Sequence, residues 1–143
     1  MVRSFQSVMI ARTPDEVFRY VADLRNEPDW HLDIASVPPE TDPVPIVGKT
    51  YAVKFKPLLG KTDGSLTALE VEPGARVVFR GDFAGMQPRI TYTVESAGEA
   101  TRFTRAVEMQ LSGLKVLMMP VMAYMVPRGN KVAVGHLKRV LES

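Results

Sequence analysis

The residues of this chain best suited to chemistry are polar groups set on otherwise apolar faces. In the run from Phe103 to Leu111, strand alternation puts Arg105 on the side of Phe103, Val107, Met109 and Leu111, while Arg102, Thr104, Glu108 and Gln110 point the other way. A guanidinium in that position must be paired or hydrated, because burying an isolated charge is expensive. Tyr51 and Tyr92 share the apolar phase of their own strands, and Asn130 falls between Val126 and Ala133 on the last helix. An arginine, two phenols and an amide inside a greasy volume can orient a mostly apolar ligand that bears oxygen. The competing reading is an edge-strand arginine that snorkels to solvent, with tyrosines whose hydroxyls stay wet.

Other chemical motifs fail on spacing. Asp29, His31 and Asp33 alternate around Trp30, which would put two carboxylates and an imidazole on one side of an extended segment. A metal site would recruit further ligands, and the only other histidine, His136, lies on the last helix, so the favoured reading is a polar loop beside a buried tryptophan. Gly48-Lys49-Thr50 and Gly60-Lys61-Thr62 end like a phosphate-binding loop, but the positions that should carry its first glycine hold Pro43 and Phe55. There is no Gly-x-Ser-x-Gly elbow and no cysteine, which excludes thiol chemistry and leaves hydrolase chemistry unsupported. The sequence predicts no metal and no cofactor.

The elements that must position these groups follow from pattern and composition. A chain of 143 residues, 45% hydrophobic and 24% charged, suits one globular domain spanning residues 1–143. The net charge is only +2, and the densest basic cluster, Arg128, Lys131, Lys138 and Arg139, reads as the solvated end of a last helix, so nucleic acid is not expected as a partner. Val116 to Val126 is too short to cross a bilayer, and the N-terminal residues lack an apolar targeting core; a soluble, cytoplasmic protein is expected.

Val2, Val8 and Ile10 mark an opening strand over about residues 2–11. Thr13-Pro14-Asp15-Glu16 then gives an N-cap hydroxyl, a proline at the first helical position and a capping-box glutamate, and Asn26 to Trp30 opens a second helical turn. Residues 38–45 hold four of the eleven prolines and form an irregular connection. From Gly48, alternating runs separated at Thr62-Asp63-Gly64, Glu72-Pro73-Gly74 and Ala97-Gly98-Glu99 predict an antiparallel meander. A helical segment from about Leu114 to Leu141 closes the chain, with breaks expected at Pro120 and Pro127 and its regular part from Arg128.

This order, with Ser7-Val8-Met9-Ile10-Ala11-Arg12-Thr13-Pro14-Asp15-Glu16-Val17-Phe18, Asn26 to Trp30, Gly74 to Phe79, Gly98 to Arg105 and His136 to Glu142, resembles the START-like superfamily. That superfamily is the helix-grip group of polyketide cyclase/dehydrase-like and lipid-transfer proteins, also labelled SRPBCC. The resemblance covers essentially the whole chain. It implies an α+β fold in which a curved, seven-stranded antiparallel sheet grips the C-terminal helix, with two short helices after the first strand and an apolar cavity between sheet and helix. On the sheet side, Trp30, Tyr51, Phe55, Phe79, Tyr92, Phe103, Arg105 and Met109 would line that cavity. On the helix side, the candidates are Met119, Met122, Ala123, Val126, Asn130 and Ala133.

Three functions compete, because a fold does not decide one. The first is binding or transport of a small hydrophobic ligand such as a lipid, polyketide or quinone, in a monomer or homodimer. The second is a polyketide cyclase, aromatase or dehydratase in which Arg105 stabilises enolate charge and Tyr51 or Tyr92 relays protons. The third treats residues 118–126 as a contact for a partner protein or for transient membrane binding, since Met118, Met119, Met122 and Met125 cluster where the prolines interrupt the helix.

Overall fold

The computed structural model describes residues 1–58 and 60–143. Strand β1 (Val2–Ile10) is followed by α1 (Pro14–Ala22), a 3-10 turn at Leu24–Asn26, α2 (Glu27–Trp30) and a short strand β2 (Ile34–Ser36). Five strands follow: β3 (Thr50–Leu58), β4 (Lys61–Glu72), β5 (Arg76–Phe83), β6 (Arg89–Ala97) and β7 (Ala100–Met109). A second 3-10 turn at Gly113–Met118 leads into α3 (Met119–Glu142). The seven strands form one curled antiparallel sheet in the order β1-β7-β6-β5-β4-β3-β2, so the first strand closes beside the last. This is the helix-grip arrangement that the resemblance implies.

Local chemistry accounts for the element ends. Thr13 Oγ1 accepts the amide of Glu16 at 3.2 Å and donates to the Glu16 carboxylate at 3.0 Å, so the cap is reciprocal through the hydroxyl itself. The β4–β5 and β6–β7 turns place Gly74 at φ 78° and Gly98 at φ 69°, a backbone region glycine enters without strain.

Two expectations are corrected, and one strand enters that no expectation covered. β2 carries no alternation long enough to read, yet it pairs with β3 and completes the sheet. Thr62-Asp63-Gly64 is not a turn but part of β4; a Cβ at Gly64 would strike the Phe55 ring and come within 2.9 Å of the Asp82 carbonyl, so glycine is there for close approach. The regular part of the last helix starts at Met119, not Arg128: Pro120 sits in the first turn, where its missing N–H is unneeded, and the helix runs on through Pro127.

The apolar interior is divided. A large cluster joins α1 and Trp30 to Tyr51, Phe79, Tyr92 and Phe103 on the sheet and to Ala133, Val134 and Leu137 on the second half of α3. A smaller one gathers Val2, Met86, Met109, Leu111 and Met122 around the start of α3.

Glycine chemistry gives an internal test of this packing. Gly64→Ala is expected to lower unfolding free energy by about 2 kcal/mol, since a carbonyl cannot yield as a side chain does. Gly135→Ala, with open space around its Cβ position on α3, is expected to raise it by about 0.8 kcal/mol. Urea denaturation of the two variants measures both, and equal shifts would contradict the packing at Gly64.

Candidate functional site

Arg105 stands in the middle of β7, opposite Tyr92 on β6 and Gln6 on β1, so its strand is not an edge and its side chain does not snorkel outward. The residue is 5% exposed. Its Nη1 donates to Asn130 Oδ1 at 3.0 Å, and the Asn130 amide nitrogen in turn donates to the Arg105 carbonyl at 3.0 Å and to Ser4 Oγ at 3.1 Å. One side chain on α3 thereby ties β7 to β1 and holds the guanidinium.

The compensating charge comes from α2. Glu27 is fully buried, accepts the Tyr92 hydroxyl on Oε1 at 2.8 Å, and faces His31 Nδ1 with Oε2 at 3.1 Å. Arg105 Nη2 lies 3.3 Å from His31 Nε2. A guanidinium only donates and a carboxylate only accepts. The imidazole between them is therefore neutral, with its proton on Nδ1 directed at Glu27 and its lone pair on Nε2. Tyr92, Glu27, His31, Arg105, Asn130 and Ser4 form one unbroken polar chain from the solid core to the helix. Arg105 Nε is buried and has no hydrogen-bond partner among the described residues.

That chain ends at a cleft of about 310 Å³ between the sheet and α3. His31, Arg105 and Asn130 form its polar pole, beside Met109, Met122 and Val126; Phe55, stacked on Phe83 at 4.3 Å, walls the far side. Asp33, Lys56 and Asp82 also line it, and these three are exposed. Among the described residues no group of three or more His, Cys, Asp or Glu side chains is arranged to hold a metal ion.

Of the residues singled out from sequence, Phe55, Arg105, Met109, Met122, Val126 and Asn130 meet at this cleft. The others do not line it. Trp30, Phe79, Tyr92, Phe103 and Ala133 fill the large cluster, with Trp30 and Tyr92 ring centroids 5.4 Å apart. Ala123 is exposed and Met119 packs in the small cluster, because the inward phase of α3 runs through Met122, Asn130, Ala133, Val134 and Leu137. Tyr51 points away: its hydroxyl donates to Asp42 Oδ2 at 2.7 Å and accepts the Ile46 amide at 2.9 Å, fastening the proline-rich connection.

Burial, with Asp42 beside it, raises the Tyr51 pKa above the usual phenol value, and the bonds from Lys49 and Tyr51 lower that of Asp42. Burial also pushes the Tyr92 phenol well up, helped by the charge of Glu27. Neither hydroxyl is placed to relay protons to a ligand.

Glu27, and the pairing of His31 with it, escaped the sequence reading, which set His31 with Asp29 and Asp33 in a polar loop beside Trp30. The signal is their i, i+4 spacing across one helical turn, whereas a period of two pairs His31 with Asp29, which is exposed. Asp33 Oδ2 does reach to 3.8 Å from His31 Nε2. Beside the cleft, the 3-10 turn and first turns of α3 leave Leu114, Leu117, Val121, Tyr124 and Met125 facing solvent, Leu117 at 79% exposure. No helix among the described residues is long and apolar enough to cross a membrane.

The sequence matches, over residues 1–142, the family model described as polyketide cyclase/dehydrase and lipid transport. No curated protein matches it. Among solved structures, CV1439 from Chromobacterium violaceum superposes with a TM-score of 0.74 at 16% identity, covering 100% of this chain and 99% of that one. DynU16, from the dynemicin biosynthetic locus, gives 0.72 at 21% identity over 100% of this chain but 48% of its own, so the chain spans about half of DynU16. The Aha1 dimer from Colwellia psychrerythraea gives 0.64 at 15%, covering 99% and 97%. At these identities the likeness is one of fold.

The polar chain predicts an alkaline signature. An unfolded tyrosine loses its proton near pH 10, whereas folded Tyr92 keeps it, so the native state binds more protons and stability falls as pH rises above about 10. Tyr20, pushed up to about 12, and Tyr51 add to the same slope. Tyr92→Phe should flatten that slope yet cost about 1–3 kcal/mol at neutral pH by leaving Glu27 Oε1 without its donor. Urea unfolding at pH 7.5 and 10.5, with ultraviolet titration of phenolate, checks both; Tyr92 ionising in the folded protein at pH 10 would contradict its buried bond.

Proposed function

The chain belongs to the polyketide cyclase/dehydrase and lipid-transport family, and from that premise we propose that it binds one small, mostly apolar molecule bearing oxygen in the cleft between the sheet and α3. The observation that carries this reading is a largely apolar cleft of about 310 Å³ whose polar pole is a buried arginine beside His31 and Asn130. The volume is at the lower end of small-molecule sites, which favours a compact ring system or a single chain over a multi-chain lipid. Arg105 at the pole, a side chain that only donates, favours a ligand that accepts hydrogen bonds. Exposed Leu117, Val121 and Tyr124 stand near the lip at Met125, a route by which an apolar molecule can arrive without crossing open water.

Binding is tested by native mass spectrometry of the freshly purified protein and by calorimetric titration with a single-chain fatty acid, a quinone and an aromatic polyketide. One molecule per chain is expected. Val126→Trp, which fills the cleft from α3 and replaces no member of the polar chain, should weaken that binding at least about tenfold, a change of about 1.4 kcal/mol. Undiminished binding in the variant would place the ligand elsewhere, and no uptake by the wild type would overturn the reading.

A further inference from the structure

We infer, building on the binding reading above, that the cleft is a site of proton transfer in which His31, backed by Glu27, removes a proton from a carbon beside a carbonyl held by Arg105. The ligand class is then a small apolar ketone with acidic α-hydrogens.

Three geometric facts converge on His31. Its Nδ1 faces a fully buried carboxylate whose other oxygen is occupied by Tyr92, so Glu27 orients the ring and is poised to stabilise the imidazolium that forms when Nε2 takes a proton. Its Nε2 is the basic nitrogen, and the side chains nearest to it, Arg105 at 3.3 Å and Asp33 at 3.8 Å, both line the cleft. The side chain itself is 12% exposed, so the base sits at the cleft wall and not in the solid core. A carboxylate–imidazole pair opening on an apolar cleft next to a fixed positive charge is a base beside an oxyanion site.

The contact between Arg105 Nη2 and His31 Nε2 is a resting one. A carbonyl oxygen entering the pole competes for the Nη2 hydrogens of Arg105 and releases the Nε2 lone pair of His31. The α-C–H bond then breaks and its proton goes to Nε2. The electron pair becomes the carbon–carbon double bond of an enolate, and the carbonyl π pair moves onto the oxygen beside Arg105. The imidazolium trades that proton for one from solvent and delivers it to the same carbon, giving exchange, or delivers a proton to a conjugated position, giving an isomer. No oxidant, reductant or second substrate enters. Glu27 acts through His31 and is a positioning residue.

The probe is 2-tetralone in deuterium oxide, with its affinity measured by calorimetry and exchange of its C1 hydrogens followed by proton magnetic resonance. Wild type should exchange these hydrogens at least about a hundredfold faster than buffer. His31→Gln keeps an acceptor for Arg105 and a donor for Glu27 but has no basic nitrogen; at 2-tetralone concentrations that saturate the variant, set from its own measured affinity, it should exchange at the buffer rate. Val126→Trp, with His31 and Glu27 intact, should lose binding and exchange together. Glu27→Gln, which frees the ring to carry its proton on Nε2, should slow exchange more than it weakens binding and shift the pH profile of exchange. Tetralone that binds the wild type but exchanges equally in His31→Gln overturns proton transfer and leaves the binding reading standing. Exchange that survives in Val126→Trp overturns its placement in the cleft, and failure of 2-tetralone to bind the wild type overturns the assigned ligand class.

Discussion

A permanent positive charge buried on a central strand is the constraint around which this molecule is arranged. Arg105 cannot shed its proton, and the effective penalty for taking such an ion out of water is several kcal/mol. Three elements answer it. Helix α2, only four residues long, carries Glu27 inward and leaves His31 at its end, so that charge is matched through one ring. Helix α3 must hold the phase that brings Asn130 against Ser4 and the β7 backbone, which fixes the register of the long helix on β1 and β7. Tyr92 faces Glu27 because it lies directly opposite Arg105 on the neighbouring strand.

The same charge explains why the interior is divided. On one side of Arg105 the strand continues into Phe103 and the large cluster; on the other, Val107 and Met109 lead to the cleft and the small cluster around Met122. Filling the gap with larger aliphatic side chains would seal the guanidinium donor that lines the cleft. An open cleft lets water or ligand serve that donor, and the walls provided by Met122 and Val126 on α3 adapt to different shapes better than rigid rings would.

Much of this was legible in the chain. Period-two alternation is enough to place Arg105 inside, since a strand offers only two faces. It is not enough to place a hydroxyl: Tyr51 and Tyr92 have the inward phase that their pattern indicates, but a phenol reaches some distance from its backbone, and the tips find Asp42 and Glu27 instead of the cleft. The pairing of Glu27 with His31 was hidden because a four-residue helix around Pro28 offers no periodicity to detect. The phase of α3 was misjudged for a different reason. Treating Pro120 as a breaker detaches the first two turns, and only a helix that begins at Met119 puts Met122 inward and Ala123 outward. Gly64 shows the same ambiguity in a strand, where a residue that marks turns serves the close approach of Phe55 and Asp82.

The charges around the cleft also constrain what suits it. Glu27 and Arg105 cancel through a neutral imidazole, and of the other ionisable groups at the walls Lys56 is offset by Asp33 and Asp82. The local balance is thus slightly negative even with Arg105 counted. A carboxylate entering beside the guanidinium would add a second anion near the buried Glu27 and face repulsion that a low-dielectric wall screens poorly, whereas solvent screens the exposed Asp33. A neutral carbonyl takes the guanidinium donor without that opposition. It also leaves the charge to appear only if an enolate forms, at the one place where a fixed cation is already oriented to receive it.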